Sequence, residues 1–240
     1  MKILHLTTSI LAAGLLIGCA QAENAAESAA AKTTEAAQKA SDKAKETVKS
    51  AADTAKSVKP SAPGVDIGAA PSGTYIAEAT HAYIAFSYSH QGYSNPILRW
   101  KKFDANLELD SANPESSSLM VTIPSDAIDS GVAKFDEHLV GADFFDAANH
   151  PVITFKSTDM DQIYTGTGRV TGDLTIKGNT KPITLNVKLN KVGKHFRSGK
   201  DMFGISATGY LKRSEYGVDK YAPMGDDVKL MIEVEFQKLD

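Results

Sequence analysis

Residues 73–240 of this chain are predicted to form one all-β domain, an antiparallel barrel or sandwich of about eight strands. Apolar and polar residues alternate there with a period of two, which is typical of strands that have one buried face. Most of these segments are separated by short turn sequences. Long amphipathic helices, which a parallel sheet needs for its crossover connections, do not alternate with them. The pattern therefore disfavours a parallel α/β fold.

Residues 1–18 are predicted to be an export signal. Lys2 is followed by an apolar run over residues 10–17, which is too short to span a bilayer, since a span takes about 20 residues. The run ends in Leu16-Ile17-Gly18-Cys19, which resembles the bacterial lipobox. That resemblance implies a diacylglyceryl thioether on Cys19, cleavage before it, and acylation of the new amino terminus by a chain such as palmitate.

The residue after the predicted anchor is Ala20, not Asp. By resemblance to the sorting rules of Gram-negative bacteria, this implies an outer-membrane lipoprotein that faces the periplasm. Several acyl chains give stable anchoring where one chain is marginal. The alternative is ordinary cleavage after Ala22, which leaves a soluble periplasmic protein.

Residues 19–72 are predicted to be a low-complexity tether, disordered or partly helical. Between residues 20 and 59 the composition is dominated by Ala, Lys, Glu, Ser and Thr, with no aromatic residue and no Leu or Ile. Such a segment cannot bury enough apolar area to offset its ordering entropy. Pro60, Pro63 and Pro71 then break any helix and mark the domain boundary. A helix that binds the cell wall or a partner is the alternative.

Eight segments of the domain alternate as strands do. They contain residues 84–88, 103–109, 119–123, 153–155, 170–176, 183–189, 205–211 and 228–236. Residues 177–180 (KGNT) predict a hairpin turn in which Gly178 and Asn179 take positive φ. Residues 125–149 do not alternate and predict short helices or a covering loop.

Composition and motifs exclude several functions. The formal net charge of −3 argues against a nucleic-acid surface, which needs clustered Lys and Arg. One cysteine rules out an intramolecular disulfide, a thiolate zinc site and an iron–sulfur cluster. The sequence lacks H-E-x-x-H, G-x-x-x-x-G-K-[ST], G-x-S-x-G and G-x-G-x-x-G. No two histidines have a spacing that favours a shared metal, so no metal site and no catalytic residue are predicted.

The non-alternating segment nevertheless gathers acids, an imidazole and two adjacent aromatics between Asp136 and Asp146. One interpretation is a lid that plugs a barrel end, and another is that Phe144 or Phe145 touches a ligand while the other packs outside. A hydrolase that uses the acids of this segment is a further alternative. Arg213 has two interpretations as well, since it can receive an anionic head group or pair with Glu215.

Eight short motifs, in order and spacing, carry a family resemblance. They are residues 78–81 (EATH), 89–92 (SHQG), 138–146 (HLVGADFFD), 150–157 (HPVITFKS), 172–178 (GDLTIKG), 181–182 (KP), 213–217 (RSEYG) and 225–228 (GDDV). Over essentially all of residues 73–235, the domain resembles the YceI family of bacterial periplasmic proteins.

The resemblance implies a lipocalin-like, up-and-down, eight-stranded antiparallel barrel whose apolar bore holds one long amphiphile. A polyisoprenoid, a polyprenyl phosphate or a quinone is the expected ligand, bound without catalysis for transport, storage or sequestration. No other cofactor is expected. The candidate lining residues are Phe86, Tyr88, Trp100, Phe103, Phe144, Phe145 and Phe155, and the candidate head-group contacts are His81, His90, His138 and Arg213.

The sequence also departs from the family pattern. Glu78 and Ala82 replace the usual Asp and Ser, Leu98 and Ala105 replace common glycines, and Pro96 lies in the turn before them. The larger side chains are expected to narrow the bore or alter a bend. A second hypothesis gives the activity to the tether of a structural or interaction lipoprotein. Whether the protein is a monomer or a dimer stays open.

Overall fold

The computed structural model describes residues 65–161 and 166–239, which belong to one compact unit, Pro60–Asp240. The predicted signal peptide, the predicted anchor at Cys19 and most of the predicted tether lie outside the described residues. The strands are β1 (Gly73–Tyr88), β2 (Ile97–Trp100), β3 (Asp104–Leu109), β4 (Ser118–Pro124), β5 (Ile128–Asp129), β6 (Val152–Asp161), β7 (Thr167–Ile176), β8 (Asn179–Lys194), β9 (Asp201–Lys212) and β10 (Asp227–Lys238). Short 3-10 helices cover Ile67–Ala69, Pro114–Ser116, Ser125–Ala127, Arg213–Tyr216 and Ala222–Met224.

Eight of the strands close into an antiparallel barrel. Their order is β1-β3-β4-β6-β7-β8-β9-β10, and β10 pairs with β1 to complete the ring. The first half of β1 pairs with β3, and its second half pairs with the short β2, which in turn pairs with β5. Because sheet neighbours follow chain order around the barrel, the predicted up-and-down barrel is confirmed and the sandwich alternative is excluded.

The two ends of the barrel are built differently. The lid end, as we call it, comprises the connections at residues 89–96, 130–151, 177–178 and 213–226. The base end comprises the 3-10 helix Ile67–Ala69 and the connections at residues 110–117 and 195–200. The predicted non-alternating segment, residues 125–149, contains the 3-10 helix Ser125–Ala127, the short β5 and, at the lid end, one α-helix of eight residues, α1 (Ala133–Val140). Across residues 65–161 and 166–239, no helix is both long and apolar enough to cross a membrane.

Alternation along the strands sets the core. On β3, Ala105, Leu107 and Leu109 are buried and their neighbours are exposed, as a period of two requires. Close packing between β6 and β7 depends on a residue without a side chain. A Cβ atom at Gly172 would lie 2.4 Å from the Phe155 ring and 2.5 Å from the carbonyl oxygen of Lys156. Only glycine fits there without displacing its neighbours.

The β7–β8 hairpin is confirmed, but its register differs from the prediction. Ile176 pairs with Asn179, so the two turn residues are Lys177 at φ 50° and Gly178 at φ 74°. These angles match a two-residue turn with positive φ at both positions. Asn179 instead begins β8, and its side-chain nitrogen Nδ2 donates to the carbonyl oxygens of Lys177 (3.1 Å) and Tyr216 (3.0 Å). The predicted positive φ at Asn179 is wrong, because this residue is already part of β8 and is paired with Ile176.

Candidate ligand-binding cavity

The barrel encloses a cavity of about 380 Å³, within the range of small-molecule sites. Inward-facing side chains of all eight barrel strands line it, and most of them are aliphatic or aromatic. At the base end its lining includes Ile67, Leu109 and Pro114, all of them buried. Leu98 and Ala105, which the resemblance places where glycine is usual, also line the cavity, and a narrowing of its bore by them remains a prediction.

Polar lining groups concentrate at the lid end. They are Tyr88, His90, His138, Arg213, Tyr216, Lys220 and Tyr221. Toward the base end, Ser117 is the polar residue among the described lining side chains, and its hydroxyl oxygen accepts from the backbone N–H of Asp110 at 3.0 Å. The cavity therefore has one polar end and a long apolar remainder, which is the distribution that an amphiphile requires.

All seven predicted aromatic residues line the cavity. Trp100 links two of them, because its ring lies 6.2 Å from that of Phe86 and 5.0 Å from that of Phe145, centroid to centroid. Such tilted and edge-to-face pairs are favourable beyond their buried area. Contact between these side chains and a ligand remains a prediction.

Phe144 and Phe145 both line the cavity, so the expectation that one of them packs outside is wrong. The chain turns back after α1, where the N–H of Phe144 donates to Gly141 and the N–H of Phe145 donates to Leu139. The two rings then reach different neighbours at the lid end: Phe144 packs edge-on against His138 at 4.9 Å, and Phe145 packs against Trp100.

Arg213 lines the lid end and secures the β9–β10 loop. Its Nε donates to the carbonyl oxygen of Gly225 at 2.7 Å, and its Nη1 donates to those of Val218 (2.7 Å) and Lys220 (2.8 Å). Burial lowers the pKa of Arg213, and the negative charge of Asp226 opposes that effect. The guanidinium is therefore used to hold backbone carbonyls and does not make the ion pair with Glu215 that the sequence left open.

Further contacts join the separate segments of the lid end. The Nζ of Lys177 donates to the carbonyl oxygens of Ala142 (2.7 Å) and Gly217 (3.1 Å), which joins the β5–β6 connection to the β9–β10 loop. The backbone N–H of Gln91 donates to the carbonyl oxygen of Met224 at 3.0 Å and joins the β1–β2 loop to the same region.

Tyr216 is the functional candidate that sequence reasoning missed. It lines the cavity with 1% of its surface exposed, and its buried hydroxyl oxygen has no hydrogen-bond partner within the part of the chain that the structure describes. Burial, reinforced by the charge of Glu215, raises the pKa of Tyr216 to about 12. It lies in a 3-10 helix between β9 and β10, where no alternation signals which way a side chain points.

The acids of the 136–146 segment do not converge on one centre. Asp136 accepts from the backbone N–H (2.7 Å) and the hydroxyl (2.6 Å) of Ser130. Asp143 pairs with the Nζ of Lys220 at 3.3 Å, and Asp146 accepts from the side-chain amide of Asn149 at 3.0 Å. Each of the three carboxylates thus has a separate structural contact. His90 and His138, by contrast, line the cavity at the lid end and are both exposed, and their contact with a head group remains a prediction.

His81 is separated from the other predicted head-group residues, because it does not line the cavity. A bulge between Ala77 and Ala82 takes it out of the β1 ladder. Its Nδ1 lies 2.8 Å from Oε2 of Glu78 and 3.8 Å from Oε2 of Glu235. Within the described ranges, the ligand atoms of these three residues lie close enough to hold a metal ion together, and the spacing of histidines along the sequence does not indicate this group.

That cluster also has an account that needs no metal. The carboxylate of Glu78 accepts from the hydroxyl of Thr80 at 2.6 Å and shares a hydrogen bond with His81. The hydrogen bond from Thr80 contributes most to lowering the pKa of Glu78. Glu78, Thr80 and His81 thus satisfy one another's hydrogen-bonding groups at the surface of the bulge.

The barrel domain matches a known protein family. The model of the YceI-like domain matches residues 75–236, which include almost the whole barrel. The chain belongs to the YceI-like family. Among its YceI-like relatives, a UPF0312 protein of Ectopseudomonas mendocina strain ymp is 35% identical over 159 residues, which cover 66% of this chain and 83% of the relative.

Solved structures share the YceI-like fold. The crystal structure of BcnA from Burkholderia cenocepacia has a TM-score of 0.60 at 24% identity and covers 66% of this chain and 98% of its own. A domain from Saccharophagus degradans, described as a polyisoprenoid binding domain implicated in plant cell wall breakdown, has a TM-score of 0.51 at 10% identity. It covers 70% of this chain and 100% of its own. At these identities the likeness shows the shared barrel.

Proposed function

We propose that this YceI-like protein binds one long amphiphile of the polyisoprenoid class without catalysis and carries, stores or sequesters it in the cell envelope. The observation that supports this proposal is the cavity, whose lining is apolar along the barrel and polar at the lid end. The tail of the ligand lies along the bore toward Ile67 and Pro114, and its polar end lies at the lid end.

The energetics favour such a ligand. Burial is worth about 0.8 kcal/mol per methylene, so a tail of about ten carbons contributes on the order of 8 kcal/mol before the cost of association. A branched isoprenoid also suits a cavity with aliphatic and aromatic walls, since shape and apolar area decide affinity there. The polyisoprenoid binding domain from Saccharophagus degradans shares the fold and supports the choice of ligand class.

The envelope location rests on the sequence. The lipobox-like segment that ends at Cys19 supports attachment to the outer membrane, with cleavage after Ala22 as the soluble alternative. A tether of about 50 residues spans roughly 40 Å as a coil and about 75 Å as a helix, so the barrel can stand off the membrane. Radiolabelled palmitate tests this point: incorporation that disappears in Cys19→Ser supports the anchor, and equal labelling of both proteins contradicts it.

A tryptophan titration tests ligand binding in the bore. The chain has one tryptophan, and Trp100 lines the cavity, so a benzoquinone with a geranylgeranyl tail should quench its fluorescence with saturation. Ala105 and Asn106 are neighbours on β3, the first facing the bore and the second exposed. Ala105→Phe should weaken binding by at least about tenfold because its ring occupies the bore, whereas Asn106→Phe should bind like the wild type. Equal binding by both variants would contradict a site inside the barrel.

A further inference from the structure

The turn between β8 and β9, at the base end, exposes a phenylalanine. Phe196 has 87% of its surface exposed, and its ring lies 5.1 Å from that of His195 and 5.5 Å from Cζ of Arg197. The turn closes through its backbone, because the N–H of His195 donates to the carbonyl oxygen of Lys200 (2.8 Å) and that of Gly199 donates to His195 (2.9 Å). A single exposed aromatic is common on protein surfaces, so its surroundings decide what it can bind.

Positive charge surrounds this turn. Residues 188–200 contain five Lys and Arg residues and no Asp or Glu, in a chain whose formal net charge is −3. Lys191 and Arg197 are exposed, while Lys194 pairs with Asp201 at 2.8 Å. The surface around Phe196 is therefore basic although the chain as a whole is acidic, and a basic surface attracts anions.

The same end of the barrel holds both ends of the domain. The side-chain nitrogen Nε2 of Gln237 lies 3.3 Å from the hydroxyl oxygen of Ser198, so the end of β10 adjoins the turn, and Leu239 beyond it is 45% exposed. The 3-10 helix Ile67–Ala69, which follows the predicted tether, contacts β8. The predicted tether thus joins the domain at the end that carries Phe196.

Charge distinguishes this turn from the other exposed apolar surface. At the lid end Tyr93 is likewise 87% exposed, but the lid-end connections carry four Lys and Arg residues against seven Asp and Glu. At the base end the acidic connection, residues 110–117, joins β3 to β4, which lie across the barrel from β8 and β9 in the strand order. The β8–β9 turn therefore combines exposed apolar area with positive charge, whereas the lid end combines it with negative charge.

We propose that the β8–β9 turn binds the surface of a phospholipid bilayer that contains anionic lipids. The ring of Phe196 lies at the boundary between head groups and acyl chains, and the charged ends of Lys191 and Arg197 lie at the level of the phosphates. This contact goes beyond the proposed function, since it does not depend on what the bore holds. It adds to the proposed anchor at Cys19 and turns the lid end away from the bilayer.

Vesicle binding tests the proposal. The protein without its predicted signal peptide, residues 19–240 with Cys19→Ser, carries no acyl chain and is titrated with two kinds of vesicle. Vesicles of phosphatidylethanolamine and phosphatidylglycerol should bind it at least about tenfold more tightly than vesicles of phosphatidylcholine alone. The difference should shrink as salt is added, because salt screens the attraction.

Point variants of this protein locate the contact. Phe196→Ser should weaken binding to the anionic vesicles by about tenfold, because the apolar ring is lost, and Phe196→Trp should bind at least as tightly as the parent. Tyr93→Ser is the matched control, since it removes an equally exposed ring from the opposite end and should have no effect. Lys191→Gln should weaken binding about fivefold, the value of one cation. Lys181→Gln removes an exposed lysine from the lid end of β8 and should stay within about twofold of the parent.

Two further measurements make the outcomes decisive. The unfolding temperature and the binding of a prenyl quinone should be unchanged in Phe196→Ser, because Phe196 is exposed and does not line the cavity. Failure to bind vesicles thus counts against this proposal alone, and failure to bind the quinone counts against the proposed function alone.

The proposal is overturned if Phe196→Ser and Tyr93→Ser bind the anionic vesicles equally well, or if the parent binds both kinds of vesicle alike. It is also overturned if the turn instead joins two copies of the chain. Sedimentation would reveal that case as a dimer of the parent that Phe196→Ser dissociates.

Discussion

At the lid end, the side chain of Asp226 forms hydrogen bonds with a neighbouring loop residue. The carboxylate of Asp226 accepts from the backbone N–H of Ser214 at 2.9 Å and from its hydroxyl at 2.8 Å. Burial raises the pKa of Asp226, but the hydrogen bonds from Ser214 and the charges of Lys212 and Arg213 outweigh it and lower the pKa overall. A folded pKa below the unfolded value stabilises the fold above the unfolded pKa, and this contribution is lost as the pH falls through the folded one.

Asp226→Asn should therefore destabilise the barrel by about 1 kcal/mol at pH 7. The difference should shrink progressively below about pH 4, because the wild-type carboxyl becomes protonated there and is then neutral like the asparagine amide. Urea unfolding at pH 7, 5 and 3 measures this difference. Asp227→Asn is the control, since Asp227 makes an exposed ion pair with Lys212 and should show no measurable change. A difference between the wild type and Asp226→Asn that stays constant with pH would contradict the account.

The glycine between β6 and β7 makes a second prediction at this scale. Gly172→Ala should lower the free energy of unfolding by about 1–3 kcal/mol, because its Cβ would overlap the Phe155 ring and a backbone carbonyl. Gly193→Ala on β8 is the control, since the nearest atom to its Cβ is the side-chain Cε of Lys191 at 3.8 Å, and its effect should stay within about 0.5 kcal/mol. Denaturant unfolding compares them, and equal stability of the two variants would be evidence against close packing at Gly172.

Among the elements, the β5–β6 connection covers one end of the cavity and is tied to the barrel by a few side chains. Lys177 holds it through the carbonyl of Ala142, and Lys220 holds it through an ion pair with Asp143. The first contact is a charge-assisted hydrogen bond to the backbone, and its lysine also donates to Gly217. The second is an exposed pair of the kind that contributes little.

Lys177→Met should thus loosen the connection, and Lys220→Met should not. Hydrogen exchange at the amides of Phe144, Phe145 and Asp146, all bonded within the connection, reports the difference. Exchange should be faster by about tenfold in Lys177→Met and within about twofold of the wild type in Lys220→Met. Equal protection in both variants would mean that packing of Phe144 and Phe145 alone holds the connection.

Elements with sustained alternation were predictable, and shorter or irregular ones were not. The segment 183–189 indicated β8 because four buried or half-buried positions alternate with polar ones. The four residues of β2 and the two of β5 are too short to show a period. The bulge at residues 78–81 shifts the register of β1, so the position of His81 could not be read from its neighbours.

At the scale of the whole molecule, closure of the barrel determines which of the alternating residues line the cavity. Predicted residues such as Phe86 and Phe155 line one cavity because the inward faces of separate strands meet when β10 pairs with β1. The polar end follows from loops whose conformation has no sequence period, which is why Tyr216 was missed. The apolar lining along the strands was predictable, while the arrangement of the polar groups at the lid end depends on how its loops pack.

The central claim is that this bore holds an amphiphile in the cell. Native mass spectrometry of the full-length protein purified from its own membranes tests it most directly, with lipid extraction to identify what is released. The account predicts an excess mass equal to one amphiphile with an isoprenoid tail, lost in Ala105→Phe and retained in Asn106→Phe. A protein that is always empty, and that takes up neither a prenyl quinone nor the matching hydrocarbon, would contradict it.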